Sequence, residues 1–164
     1  MCGGSAENFA RVGDILGCMG EEVVHCGDVG CGQAAKICNN LLLAVTMIGT
    51  SEVLNLGGRL GLQNKALTDI LNMSTGRCWS CEQYNPCPGV LDNVPATCSA
   101  SNKYQGGFST NLMTKDLALA QNMATGTRTS IPLGSLAHTL YNGMCKAGYG
   151  KLDFSSVYKF LREL

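Results

Sequence analysis

The stretch Gly27 to Leu60 reads G-D-V-G-C-G-Q-A-A-K-I-C-N-N-L-L-L-A-V-T-M-I-G-T-S-E-V-L-N-L-G-G-R-L, and its folding decides the architecture. A glycine-rich turn runs directly into a segment that the pattern predicts to be one long helix. That helix spans Cys31 to about Leu60 and is stopped by Gly57, Gly58 and Gly61. From Leu41 to Ile48 every residue except Thr46 is apolar, with no one-sided stripe. A helix apolar all round is predicted to be buried, which makes this the central rod of a helical domain. Near its start stand Lys36, Asn39 and Asn40. Lys36 and Asn40 are four apart, so a helix projects them from one face, one turn from each other. An amine at the mouth of an apolar rod is suited to passing protons near neutral pH, and an amide one turn on can orient what it acts on.

Outward from the rod, Ser5 is a candidate cap for a helix through Gly17, with Phe9, Val12, Leu16 and Met19 at spacings of three and four. Val23 to Cys26 is a short strand candidate, Met1 to Gly4 reads as the tail of something cut away, and nothing in front of the strand is expected to pair with it. Downstream, Ala66, Leu67, Ile70 and Leu71 mark a short helix from about Asn64 to Met73. Ser74 to Gly107 shows little periodicity. Helices are predicted again from Ser109 to about Ala124 and from Pro132 to Ala147, with Asp153 capping a final one. The sum is a mainly α domain with no sheet after Gly27.

The totals narrow the classes. At 164 residues with 45% hydrophobic composition, the chain is long enough to bury a core. A formal net charge of zero argues against nucleic-acid binding, which needs clustered Lys and Arg. The longest uninterrupted apolar run, Leu41 to Val45, falls short of the ~18 residues that span a bilayer, so no membrane partner is expected. Neither a signal nor a transit peptide is visible. Ten cysteines without a secretory signal are expected to be reduced thiols.

Other patterns are weaker. Gly30-x-Gly32-x-x-Ala35 fits a dinucleotide fingerprint, with Glu52 at the acid's distance. Position 52, however, falls inside the predicted helix, so the small residues are read as close backbone packing. Cys78-x-x-Cys81 with Cys87 and Cys98 has one CxxC where a zinc site usually has two, so no metal is predicted. A redox CxxC should open a helix beside a βαβ unit, and none is predicted there. His25 and His138 lack ligand spacing and are expected to be structural. Lys115-Asp116 reads as an exposed pair of opposite charges, and Phe108 follows a Gly106-Gly107 turn suited to presenting a ring.

Taken together, these residues resemble the β-hydroxyacid dehydrogenase family. Its catalytic motif G-x-x-G-x-G-x-x-x-K-x-x-x-N is met by Gly27, Gly30, Gly32, Lys36 and Asn40. Its K-D-L-x-x-A-x-D motif is met by Lys115, Asp116, Leu117 and Ala120, with Asn122 in place of the last acid. Further likeness lies in Gly76–Ser80, Tyr84–Pro86, Tyr104–Phe108, Gly134–His138 and Asp153–Val157. Three features depart from the family pattern: a longer stretch from Ala96 to Lys103, the thiols Cys81 and Cys87, and the Rossmann domain and Ser-Gly-Gly motif expected before residue 1.

The resemblance implies a helical C-terminal domain of the 6-phosphogluconate dehydrogenase-like type over residues 31–164. Residues 1–30 would be the αβ remnant of an NAD-binding Rossmann domain. It also implies NAD-dependent oxidation of a small hydroxyacid in branched-chain amino acid breakdown, in the mitochondrial matrix. Lys36 and Asn40 would be catalytic. Lys115 and Phe108 would touch NAD across the domain cleft, and the helical part would pair subunits into a homodimer or homotetramer. A non-catalytic helical oligomerisation module, or a dehydrogenase for another 2- or 3-hydroxyacid, stays open as an alternative.

Overall fold

The computed structural model describes residues 1–92 and 98–164. Seven α-helices are found among them: α1 (Ala6–Gly17), α2 (Cys31–Arg59), α3 (Asn64–Met73), α4 (Trp79–Glu82), α5 (Thr110–Thr127), α6 (Pro132–Met144) and α7 (Val157–Glu163). Shorter 3-10 turns cover Ser99–Asn102 and Phe154–Ser156, and a π-turn covers Cys145–Tyr149. The described residues contain no strand, only two isolated bridges. The fold is mainly α, as the periodicity predicts. Of the stretch read as longer than the family pattern, Ala96 and Thr97 lie outside the described residues.

Two compact units share the chain, Met1–Asn40 and Leu41–Leu164, with the boundary inside α2. In the first, Ser5 caps α1 by accepting from the Asn8 N–H at 3.3 Å. The strand candidate Val23–Cys26 is reduced to one parallel bridge, His25 with Cys2. No pairing partner was expected in front of it, yet the Met1–Gly4 tail supplies one: the Cys2 N–H donates to Val24 O and the Cys26 N–H to Cys2 O, both at 2.8 Å. One extended residue on each side leaves nothing for a ladder to propagate, so the pairing stays a bridge. The order extended, helix, extended and parallel is a βαβ crossover at its smallest. His25 is structural here: its Nε2 lies 2.7 Å from Gly4 O and its ring stacks on Phe9.

In the second unit, α2, α5 and α6 build the core, with Met47, Met113, Tyr141, Met144 and Val157 fully buried and Phe154 nearly so. The expectation of all-round burial for the rod is corrected. Ala44, Met47, Ser51 and Leu54 carry no exposed surface, while Leu42 is 64% and Leu56 59% exposed. Apolarity on every side meant a helix able to bury any face, and this unit covers one of them. By length and composition α2 could cross a membrane, which counting only uninterrupted apolar residues missed. One face of its Leu41–Arg59 part packs into the unit's own core.

α6 ends at Met144, short of the expected Ala147, where the chain widens into the π-turn. α5 runs past the expected Ala124 to Thr127 and is capped by Ser109, whose Oγ accepts from the Leu112 N–H.

Candidate active site

In the first unit, α2 is unbroken between Lys36 and Asn40, so the two stand one turn apart on one face, as the spacing predicts. Lys36 is exposed. The sequence placed this amine at the mouth of a buried rod, and no cover over it is found among the described residues. Asn40 is 4% exposed, and its Oδ1 accepts from the Asn39 side chain at 3.2 Å. Gly27 and Gly30 of the motif have positive φ, and Gly30 directly precedes α2.

Gly32 answers the dinucleotide question. A Cβ there would lie 2.9 Å from Gly3 N and 3.1 Å from Met1 O. The close approach that Gly32 allows is therefore occupied by the chain's own first residues, where a nucleotide site would hold a pyrophosphate. Glu52 lies inside α2, not at the end of a second strand. Close backbone packing is the correct reading of this turn.

Phe108 and Lys115 belong to the second unit. Phe108 sits one residue before the Ser109 cap of α5, half-buried, with its ring edge-on to Phe154 at 6.0 Å between centroids. Lys115 lies in the second turn of α5 with a side chain 60% exposed, and its Nζ pairs with the largely buried Asp116 carboxylate at 2.9 Å. The expected surface pair is thus half correct: the lysine is at the surface and the acid is tucked beneath it.

What orients Phe108 was not legible in the sequence. Asp153, with no exposed surface, receives the Phe108 N–H on Oδ2 at 2.7 Å and the Tyr84 hydroxyl on the same oxygen at 3.1 Å. Its Oδ1 accepts from the Ser155 N–H and hydroxyl, so Asp153 caps the 3-10 turn Phe154–Ser156 that leads into α7, where a cap on the final helix itself was expected. Burial pushes the Asp153 carboxyl above its usual range, and the hydrogen bonds from Ser155, Phe108 and Tyr84 oppose that. Gly107, with φ of +65°, brings the backbone so close that a Cβ would strike Asp153 Oδ2, Ser99 Oγ and Tyr84 OH. The signal was present but scattered. Tyr84–Pro86, Tyr104–Phe108 and Asp153–Val157 were separate points of likeness, and one carboxylate ties them together.

No three His, Cys, Asp or Glu side chains gather as a metal site among the described residues.

The chain is 62% identical to the mitochondrial 3-hydroxyisobutyrate dehydrogenase of Homo sapiens over 99% of its own length and 47% of that protein. The corresponding Bos taurus protein is 63% identical, again over 99% of this chain and 47% of the relative. The solved structure of Mycobacterium tuberculosis 3-hydroxyisobutyrate dehydrogenase with L-serine superposes with a TM-score of 0.90 at 39% identity, covering 98% of this chain and 53% of that one. The chain thus spans about half the length of the curated relatives it matches. A family profile described as "NAD-binding of NADP-dependent 3-hydroxyisobutyrate dehydrogenase" matches residues 30–161, from the glycine turn to the last helix. On that match, running through α2, Lys36, Asn40, Phe108 and Lys115, the chain belongs to this 3-hydroxyisobutyrate dehydrogenase family.

Proposed function

We propose that the chain is the helical part of an NAD-dependent dehydrogenase that oxidises 3-hydroxyisobutyrate to methylmalonate semialdehyde during valine breakdown in the mitochondrial matrix. Residues 31–164 act as a C-terminal domain of the 6-phosphogluconate dehydrogenase-like type, and residues 1–30 close the preceding Rossmann domain. The observation that carries this reading is the Lys36–Asn40 pair, one turn apart on an unbroken helix inside the family match.

NAD, when bound, takes the hydride from the carbinol carbon. Lys36 hydrogen-bonds the substrate hydroxyl and takes its proton, and the Asn40 carboxamide holds hydroxyl and amine in register. The donor set of the second unit fits an edge contact with the cofactor: Lys115 offers an exposed ammonium and Phe108 a half-exposed ring. With Gly32 filled by Gly3, the diphosphate is held by the Rossmann half, which also covers Lys36.

A homodimer or homotetramer agrees with exposed Leu42 and Leu56 on α2 and with Leu133 and Leu136 on α6, which leave an apolar surface uncovered in a single chain.

The test joins this chain to the N-terminal half of a family member and follows reduction of NAD and NADP with 3-hydroxyisobutyrate. Turnover with NAD supports the proposal; a folded, NAD-binding but inert fusion supports the oligomerisation module instead. A second reading, another small hydroxyacid, is favoured by the L-serine named with the M. tuberculosis structure, since serine is also a 3-hydroxyacid. A larger kcat/KM for L-serine than for 3-hydroxyisobutyrate would select it.

A further inference from the structure

Among the described residues no βαβ unit lies beside Cys78-x-x-Cys81, but the structure holds the pair in one turn: Cys78 is the N-cap of the four-residue α4 and Cys81 lies within it. The Cys81 N–H donates to Cys78 O at 3.0 Å. A turn closed by such a bond holds its end Cα atoms within about 7 Å, the range in which two cysteines can be bridged without moving the backbone. Both side chains line one cavity of about 250 Å³, together with Thr46 and Thr50 of α2. Their exposures differ: Cys78 is half-buried and Cys81 only 1% exposed. Both are free thiols, and Cys78 Sγ has a loose contact with Thr50 Oγ1 at 3.5 Å.

We propose that Cys78 and Cys81 are a modification site: a dithiol that hydroperoxides convert reversibly to an intramolecular disulfide. Cys78, the thiol that reagents reach, reacts as its thiolate. Its sulfur attacks one peroxide oxygen and the O–O bond breaks. The other oxygen leaves and takes up the proton that Cys78 released, so Cys78 becomes a sulfenic acid. The Cys81 sulfur then attacks the Cys78 sulfur, the S–O bond breaks, and the hydroxyl departs with the Cys81 proton as water. Two thiols are oxidised by two electrons while one peroxide is reduced, and exchange with an added dithiol restores the pair. Burial pushes the Cys81 thiol up to about 11, which keeps it from reacting first and leaves it the resolving role. The closed loop is so short that the bond adds little stability, so its effect is local: Cys78 turns away from Thr50 and α2.

The chain carries its own reporter, because its single tryptophan, Trp79, sits between the two cysteines and stacks on Tyr84 at 5.0 Å. The chain is treated with one equivalent of hydrogen peroxide, its remaining thiols are alkylated, and it is cleaved after Arg77 and Glu82. The expected main product is peptide 78–82 without either alkyl group and lighter by two hydrogens, with a loss of Trp79 fluorescence that dithiothreitol reverses. In Cys81→Ser, Cys78 should stop at a sulfenic acid that dimedone traps. The proposal is overturned if peptide 78–82 keeps both alkyl groups while other thiols are oxidised, or if Cys78 is joined to a different cysteine. Should Cys81→Ser fail to fold, the unsubstituted chain's peptide decides alone.

Discussion

Residues 1–40 and residues 41–164 hold their structures by different means. The second unit does so with a core, in which Met47, Met113, Tyr141 and Met144 have no exposed surface. The first does so with backbone: the Cys2 bridge, the Ser5 cap and the Gly3–Gly32 approach, while α1 contains no buried residue. Its apolar side chains Val12, Ile15 and Met19 are exposed. The contrast teaches where chemistry can be carried. The proposed catalytic lysine stands on the unit with the least buried surface, and α2 runs from there into the unit with the most.

Four substitutions would break or sharpen that comparison, all read by denaturant unfolding of the chain. The largest effect is expected for Asp153→Ala, about 4 kcal/mol, because it strands the Phe108 and Ser155 N–H groups and the Tyr84 hydroxyl without their acceptor. Next is Met47→Ala, about 3 kcal/mol, from lost burial plus the cavity left behind. Cys81 gives a pH-dependent term of about 2 kcal/mol. Its thiol is raised to about 11 in the fold, so the stability it contributes is whole below about pH 9 and is lost as pH rises through about 11. Cys81→Ala should flatten that alkaline loss relative to the unsubstituted chain. Smallest is Val12→Ser, within about 0.5 kcal/mol, since its side chain is already exposed. A Val12 effect equal to that of Met47 would mean that the first unit has a core of its own.

Legibility in sequence followed the range of the interactions. α2, α3 and the caps Ser5 and Asp153 were readable because the glycines and capping side chains that set them lie within a few residues, while Ser109 was read only as a helix start. α4 and the Ser99–Asn102 turn were not, since four-residue elements show no periodicity and depend on what they pack against. Asp153 shows both cases at once. The oxygen that caps was foreseen, while the one that binds Phe108 and Tyr84 acts across 45 and 69 positions of sequence. At the candidate site the Lys36–Asn40 register was legible from their spacing; the exposure of Lys36 was not, because apolar neighbours along a helix do not say which face is covered.

The account stands or falls on the amine of Lys36. In the enzyme completed with a family N-terminal half, Lys36→Ala should lower kcat for 3-hydroxyisobutyrate by about 10²–10⁴-fold, the usual loss of a proton-transferring group. In the 164-residue chain by itself, where the side chain is exposed, Lys36→Ala should leave the unfolding midpoint where it was. A Lys36→Ala enzyme that turns over at the unsubstituted rate would contradict the claim that this helix carries the chemistry.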